Sequence, residues 1–217
     1  MRPLRILASC LLFVLTISCG RFEIRDIPKD PIGARGHIDL AISYEAGKEY
    51  DLAFREYEKA LGLDPSQPDA RFGIGNIHLI KRDWPAAAKH LEKAVRLRPS
   101  AGSYRNNLAI AYMEAGRLDD GLKAARKGLE LDPVRAYIYM DTLGMILMRG
   151  SDAALAEKAY KEALTKAIEA GTDETEIMGH LQELYAATGD TVNAGLIRDS
   201  LKALELKKQT TGKEGRQ

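Results

Sequence analysis

The stretch from residue 68 to residue 101, PDARFGIGNIHLIKRDWPAAAKHLEKAVRLRPSA, decides the fold because its pattern recurs along the chain. Pro65, Pro99 and Pro133 lie 34 residues apart, and each closes a predicted helical hairpin. A constant period of this length is typical of stacked helical repeats. The pattern therefore predicts an all-α fold in which each unit packs against the next.

Three copies of the pattern align in register. The first helix of each copy carries a large residue, a small residue and then a ring, and the second helix carries two small residues that flank a bulkier one. Two helices approach within about 8 Å only where the side chains between them are small, which gives these positions a physical cause. The aligned positions are Leu40, Ala41, Tyr44, Ala53, Tyr57 and Ala60; Ile74, Gly75, His78, Ala87, Leu91 and Ala94; and Leu108, Ala109, Tyr112, Gly121, Ala125 and Gly128.

This pattern resembles the tetratricopeptide repeat family. The resemblance covers residues 34–206 and implies a right-handed superhelix of about five helical hairpins, with a concave face built from the first helix of each hairpin. Two later units are looser, and Asp173 followed by Glu176 predicts a capping box at the start of the fifth. The predicted hairpins span 34–67, 68–101, 102–135, 137–171 and 175–206, and 207–217 is expected to be a flexible tail.

The amino terminus has the pattern of a secretory signal peptide over residues 1–18. Two arginines precede an apolar run of about a dozen residues, and small residues lead to Cys19. Resemblance to bacterial lipoproteins implies cleavage before Cys19 and attachment of lipid to its thiol, which makes 19–33 a lipidated connector. The apolar run is shorter than the ~20 residues that a membrane-spanning helix needs. An uncleaved inner-membrane anchor and ordinary secretion are the weaker interpretations.

The sequence after Cys19 suggests a location. Gly20 and Arg21 follow the cysteine, without the aspartate that retains lipoproteins in the inner membrane under the enterobacterial pattern. We therefore expect a bacterial outer-membrane protein that is bound to the membrane through its lipid and faces the periplasm. Pro28 and Pro31 favour an extended connector that sets the repeats off the bilayer.

Composition excludes several classes of function. Lys and Arg number 32 against 31 Asp and Glu, and removal of the signal peptide leaves a formal charge of −1, so a nucleic-acid partner is not expected. Cys10 would be removed and Cys19 lipidated, which leaves no cysteine for a disulfide or a metal. The four histidines show no metal-ligand spacing, and no nucleophile, base and orienting group can be assembled. We expect no metal, no cofactor and no enzyme activity.

The repeat register predicts a binding groove. In this family the second, fifth, ninth and twelfth positions of each first helix face inward on one stripe. Contiguous exposed apolar surface marks interaction sites, and methionines suit a surface that adapts to its ligand. The predicted groove residues are Ile38, Ile42, Phe72, Asn76, Leu79, Asn106, Asn107, Ile110, Met113, Asp141, Met145 and Met148.

The polar groove residues favour an extended peptide over a terminal carboxylate. Asn76 and Asn107 match two asparagines of the carboxylate-clamp subset of the family, but the positions for its basic partners hold Phe72, Ile138 and Thr142. Asparagine amides can also pair with the backbone of an extended peptide.

The groove has a second interpretation, because the connector carries apolar residues of its own. Phe22, Ile24 and Ile27 could fold back and cover the groove. The sequence leaves the open and the self-covered groove as alternatives.

The signal, anchor and repeats together predict a scaffold that binds a segment of another envelope protein, either an extended peptide or an amphipathic helix. The layout resembles pilotin-type tetratricopeptide lipoproteins of type IV pili, which implies a role in secretin insertion and assembly. Envelope scaffolds of polysaccharide export or of peptidoglycan-hydrolase control share the layout. A self-associating homo-oligomer with no separate ligand is the structural alternative.

Overall fold

The structure is a computed structural model that describes residues 30–214, so the predicted signal peptide, Cys19 and most of the connector lie outside it. The described residues form ten α-helices, with one 3₁₀ turn at Pro133–Arg135. None of these helices is long and apolar enough to cross a membrane. The helices are α1 Gly33–Ala46, α2 Tyr50–Leu63, α3 Pro68–Ile80, α4 Trp84–Leu97, α5 Gly102–Glu114, α6 Leu118–Leu131, α7 Ala136–Arg149, α8 Ala153–Glu169, α9 Thr175–Thr188 and α10 Thr191–Glu214.

The helices pair as five antiparallel hairpins, α1 with α2 through α9 with α10. The odd-numbered helices also contact one another in sequence, α1 with α3, α3 with α5, α5 with α7 and α7 with α9. These first helices therefore form the inner, concave layer of a right-handed superhelix, as expected for the repeat fold. The prediction of an all-α array of about five hairpins is confirmed.

Close helix contacts explain the small residues of the repeat. A β-carbon placed on Gly75 of α3 would lie 2.6 Å from Leu91 Cγ of α4, and one on Gly144 of α7 would lie 2.5 Å from Tyr160 Cε1 of α8. Leu91 and Tyr160 are almost fully buried. The bulk of one helix thus fills the space that the small residue of the other leaves, which is how ridges pack into grooves.

A residue in the left-handed conformation lies in every turn between the two helices of a hairpin. Its φ is +60° at Lys48, +59° at Arg82, +76° at Gly116, +65° at Ser151 and +78° at Gly189. For a residue that has a β-carbon, the left-handed conformation costs about 1–2 kcal/mol. The three non-glycine residues are therefore held in it by the packing of the helices they join. The first three positions keep the 34-residue period, and the last two come later.

The start of α9 differs from the predicted capping box. The residue that precedes the helix is Glu174, and Asp173 lies one position earlier. Asp173 Oδ1 accepts hydrogen bonds from Thr175 N at 3.1 Å and from Thr175 Oγ1 at 2.5 Å. Glu176 is therefore one residue too close to the helix start to complete the box.

The carboxyl-terminal helix runs farther than the sequence indicates. The predicted flexible tail began at residue 207, whereas α10 continues to Glu214. Lys208 Nζ donates to Asp173 Oδ2 at 2.7 Å and to Thr175 Oγ1 at 3.0 Å, so this part of α10 contacts the start of α9. The boundary at 206 is corrected accordingly.

Substitution of two helical glycines should have opposite effects on stability. Gly75→Ala places a methyl group against Leu91, and overpacking should lower the free energy of unfolding by about 1–3 kcal/mol. Gly179→Ala, in α9, meets nothing within 4 Å and should raise it by up to about 1 kcal/mol, because alanine favours the helix. Urea titration followed by circular dichroism measures both, and a neutral or stabilising Gly75→Ala would contradict the packing described here.

Candidate functional site

Two adjoining cavities lie on the concave face where α5, α7 and α9 meet. Met145 of α7 lines both. Six of the twelve predicted groove residues surround these cavities. They are Asn106, Ile110, Met113, Asp141, Met145 and Met148.

The first of the two, the methionine cavity, has a volume of about 300 Å³. Its lining residues are Met113, Met145, Met148, Arg149, Tyr160, His180 and Glu183. Met113 is only 2% exposed and supports the floor, whereas Met148 is half-buried and offers contact area. At the rim, Arg149 Nη2 donates to Glu114 Oε1 at 2.8 Å. The cavity suits an apolar side chain, because flexible thioethers adapt to its shape.

The second, the acidic cavity, has a volume of about 210 Å³. Its lining residues are Asn106, Ile110, Tyr137, Ile138, Asp141, Thr142, Met145, Asp173, Glu176 and Ile177. Apolar side chains form its walls, and the carboxylates come from α7, from α9 and from the segment before α9. Among the described residues, no lysine or arginine lines it.

His180 separates the two cavities. Its Nδ1 lies 2.8 Å from Asp141 Oδ1, and its ring stacks on Tyr160 with centroids 5.6 Å apart. The hydrogen bond to Asp141 raises the pKa of His180 above its usual value, while partial burial opposes the rise. The pair fixes the orientation of α9 on α7 and holds one carboxylate in place at the cavity wall.

The two predicted groove residues of α1 differ in exposure. Ile38 is 0% exposed and packs with Ala41 and Tyr57 in the first core cluster. Its assignment to the groove is corrected, because its side chain points between α1 and the next repeat. Ile42 is 48% exposed and is available on the surface of α1.

The predicted groove residues of the second and third repeats contact one another. Phe72 stacks on Tyr104, with ring centroids 4.3 Å apart. Asn107 Nδ2 donates to Asn76 Oδ1 at 2.8 Å, which joins α5 to α3. Leu79 is half-buried against the second core cluster. These side chains join the repeats and also present part of their surface on the concave side.

A charged cluster completes this half of the concave side. Arg98 donates to both carboxylate oxygens of Asp69, at 2.7 and 2.9 Å, and Tyr104 Oη donates to the same carboxylate. The hydrogen bonds from Arg98 lower the pKa of Asp69. Arg98 and Asp69 satisfy each other within the second hairpin, and Tyr104 reaches the same carboxylate from the third, so the cluster links repeats rather than leaving a charge for a ligand.

Several cavity residues were not predicted from the sequence. They are Tyr137, Ile138, Thr142, Arg149, Tyr160, Asp173, Glu176, Ile177, His180 and Glu183. A usable signal was present, since Glu176, His180 and Glu183 follow one another at helical spacing on one face of α9. Continuing the inward stripe into the fifth hairpin, from residue 175, would have found Glu176 and Glu183, and His180 lies between them on the same face.

The described part of the chain offers no site for a metal. Across residues 30–214, no group of three or more His, Cys, Asp or Glu side chains is placed to hold an ion. His78 and His90 lie near each other, with ring centroids 5.5 Å apart. Burial lowers the pKa of His90 to about 4, so its ring is neutral at neutral pH.

Comparison with known proteins agrees with the fold. A family model described as Tetratricopeptide repeat matches residues 38–102, 72–136 and 106–173, more than half of the chain. The chain belongs to the tetratricopeptide repeat family. This confirms the resemblance inferred from the sequence, and such repeats are in general protein-binding scaffolds rather than catalysts.

Three similar proteins illustrate the range of this fold. The Hsp70-Hsp90 organizing protein of Triticum aestivum is 33% identical over 85 residues, which are 39% of this chain and 15% of that protein. The structure of Pseudomonas aeruginosa pilF has a TM-score of 0.67 at 16% identity, covering 78% of this chain and 75% of that one. YrrB, described as a TPR protein with an unusual peptide-binding site, has a TM-score of 0.58 at 21% identity over 77% and 84%.

The extent of these matches limits what they show. This chain spans about 15% of the length of the wheat relative, so the activity of that whole protein does not transfer with the match. At 16% and 21% identity, the two solved structures show the fold alone.

The His180–Asp141 pair should make stability depend on pH above neutrality. The folded-state pKa of His180 lies above the ordinary value of 6.5, so the pair stabilises fully below pH 6.5 and loses that contribution as pH rises through the folded-state pKa. The difference in free energy of unfolding between the wild type and His180→Asn should therefore shrink from pH 6 to pH 8.5. Urea titration at several pH values measures it.

His90 supplies a control of opposite sign. Its folded-state pKa of about 4 lies below the unfolded value, so its contribution is present above pH 6.5 and is lost as pH falls towards 4. His90→Phe should change the pH dependence only on the acid side. A difference between wild type and His180→Asn that stays constant from pH 6 to pH 8.5 would show that the pair does not titrate as described.

Proposed function

We propose that this protein is a lipid-anchored scaffold of the bacterial cell envelope that binds a segment of another envelope protein along its concave face and so aids assembly of an envelope complex. Catalysis has no part in this proposal, and neither does a metal or a cofactor. The observation that carries it is the row of two cavities between α5, α7 and α9, which lie side by side on the concave layer.

The geometry of the cavities suits a peptide segment. Sites for small molecules have volumes of about 300–1,000 Å³. The methionine cavity is at the lower limit of this range and the acidic cavity is below it, so each accommodates a single side chain. The cavities share Met145 and follow the axis of α7, so a chain lying along that helix places successive side chains in both. Two similar proteins support binding of a protein segment by the repeats. One is named Hsp70-Hsp90 organizing protein, and the other, YrrB, is described as having a peptide-binding site.

The anchor is proposed from the sequence of residues 1–19. Two or more acyl chains at about 0.8 kcal/mol per buried methylene make such an anchor practically permanent. Tethering raises the local concentration of the concave face at the membrane, which strengthens the capture of a membrane-bound partner without any new contact. We assign the protein to the outer membrane, facing the periplasm, on the same sequence pattern.

A pilotin-like role in secretin assembly is the narrower form of this proposal. Its support is the layout of signal, anchor and repeats, together with the likeness in fold to Pseudomonas aeruginosa pilF.

A self-associating scaffold is the second candidate. The exposed apolar residues of α10 favour it, since Val192 is 72%, Leu196 61% and Leu206 64% exposed. Val192 and Leu196 lie about one turn apart on α10, and exposed apolar patches can mark interaction sites.

Site-specific photo-crosslinking should locate the binding face. A photoreactive phenylalanine analogue at Met148, or at Ile42 on the exposed surface of α1, should crosslink to one envelope protein, because a segment that follows the layer of first helices passes both α7 and α1. The same analogue at Leu155 of α8 is the matched control, since Leu155 is 50% exposed and lies on a second helix. Mass spectrometry of the adducts from intact cells gives the partner.

The pattern of adducts decides between the candidates. Adducts from Leu155 but not from Met148 or Ile42 would contradict binding on the concave face. Adducts that contain only a second copy of this chain would favour the self-associating scaffold.

Substitution of Cys19 should abolish anchoring. Cys19→Ser should prevent incorporation of labelled palmitate and yield an unprocessed or soluble product, whereas Cys10→Ser, inside the predicted signal peptide, should change neither. Membrane fractionation with palmitate labelling provides the measurement. A wild-type protein that begins at Met1 and carries no lipid would favour the uncleaved inner-membrane anchor instead.

A further inference from the structure

The geometry points to a charge-selective subsite: the acidic cavity binds an arginine or lysine side chain of the partner segment, while a neighbouring apolar side chain of that segment enters the methionine cavity. This inference rests on the proposed function, because it specifies the chemistry of the segment that the concave face binds.

The acidic cavity is lined by three carboxylates. Asp141, Asp173 and Glu176 line it. Asp141 pairs with His180, and Asp173 pairs with Lys208 at 2.7 Å. Glu176 is exposed, and none of the ion pairs within the described part of the chain includes it. The cavity therefore attracts a cation and offers one carboxylate that is not already engaged in an ion pair.

A buried amide points to the same kind of ligand. Asn106 is 6% exposed and lines the acidic cavity, and its Oδ1 has no hydrogen-bond partner among the described residues. A buried acceptor without a donor costs about 1–3 kcal/mol. An ammonium or guanidinium group that enters the cavity brings N–H donors for this amide as well as a positive charge for the carboxylates.

The apolar walls fit the stem of a long basic side chain. Ile110 of α5, Ile138 of α7 and Ile177 of α9 surround the cavity on three sides. Lysine and arginine bury their methylene stems against apolar surface while their charged ends reach polar groups. A volume of about 210 Å³ accommodates one such side chain and is too small for a helix.

The spacing of the two cavities sets the spacing of the ligand's side chains. Asp141 and Met148 are seven residues apart on α7, which is about 10 Å along the helix axis. A segment in the polyproline II conformation covers about this distance in three residues, which make one turn, so its residues i and i+3 point to the same side. The preferred segment therefore carries a basic and an apolar residue about three positions apart.

A larger recess on the described surface is a poorer candidate. It has a volume of about 610 Å³ and lies over α8, where Lys161 Nζ donates to Glu157 Oε1 at 2.6 Å. Three lysines and two glutamates line it, so it has no excess of negative charge that would attract a cation.

Two eight-residue peptides test the inference on the full-length chain in detergent micelles. Both consist of glycine and serine with one leucine and, three positions away, either arginine or glutamate, and each is made in both sequence directions. The shifts of the ¹³C-labelled methionine methyl groups of Met145 and Met148 in NMR titrations give the affinities. The arginine peptide should bind about fivefold to tenfold more tightly than the glutamate peptide.

Charge reversal at one position should invert this preference. Glu176→Lys should weaken the arginine peptide and strengthen the glutamate peptide, and it should leave the fold intact because Glu176 is exposed. The matched control is Glu162→Lys, on the exposed face of α8, which should leave both affinities unchanged. Asn106→Leu should weaken the arginine peptide without lowering the midpoint of thermal unfolding, because it removes the unpartnered buried acceptor.

Equal affinities for the two peptides, no binding of either, or an unchanged preference in Glu176→Lys would each overturn the inference. The result is separable from that of the proposed function. An envelope partner crosslinked at Met148 without any charge preference would leave the scaffold function standing and remove the subsite. A clear preference for arginine without an envelope partner in cells would leave the subsite standing and remove the scaffold function.

Discussion

The close approach of paired helices is the constraint on which the rest of this structure depends. Gly75 and Gly144 leave room for Leu91 and Tyr160, and a single methyl group at either glycine would overlap the facing side chain. Each hairpin contacts mainly its sequence neighbours, so stability accumulates along the array.

The candidate site lies where this regular arrangement changes. The left-handed turn residues follow a 34-residue period from Lys48 to Gly116, after which Ser151 and Gly189 come later. The longer α8 and the segment before α9 alter how α9 meets α7, and the two cavities lie at this junction. In the amino-terminal half, by contrast, the concave side chains contact one another, as Phe72 does with Tyr104.

Electrostatic pairing divides the concave face into two parts with different properties. Asp69 and Arg98 satisfy each other within the second hairpin, which lowers the pKa of the Asp69 carboxyl and leaves little charge for a ligand. Around the acidic cavity the balance is incomplete, since Glu176 adds a carboxylate beside the His180–Asp141 pair. Acidic and basic residues are nearly balanced over the whole chain, with a formal charge of +1, but acidic residues are in excess around this cavity.

The sequence by itself determined the repeat, its period and its small positions, because these follow from contacts between neighbours a fixed distance apart, as for Gly75 and Leu91. It also indicated six of the sixteen residues that line the two cavities, all of them in α5 and α7. Only the tertiary structure decided that Ile38 is buried, that Asn76 pairs with Asn107 and that α9 contributes Glu176 and His180. The reason is that these outcomes depend on how far each hairpin rotates against the next, and a periodic pattern specifies which residues face inward but not which of them another side chain will cover.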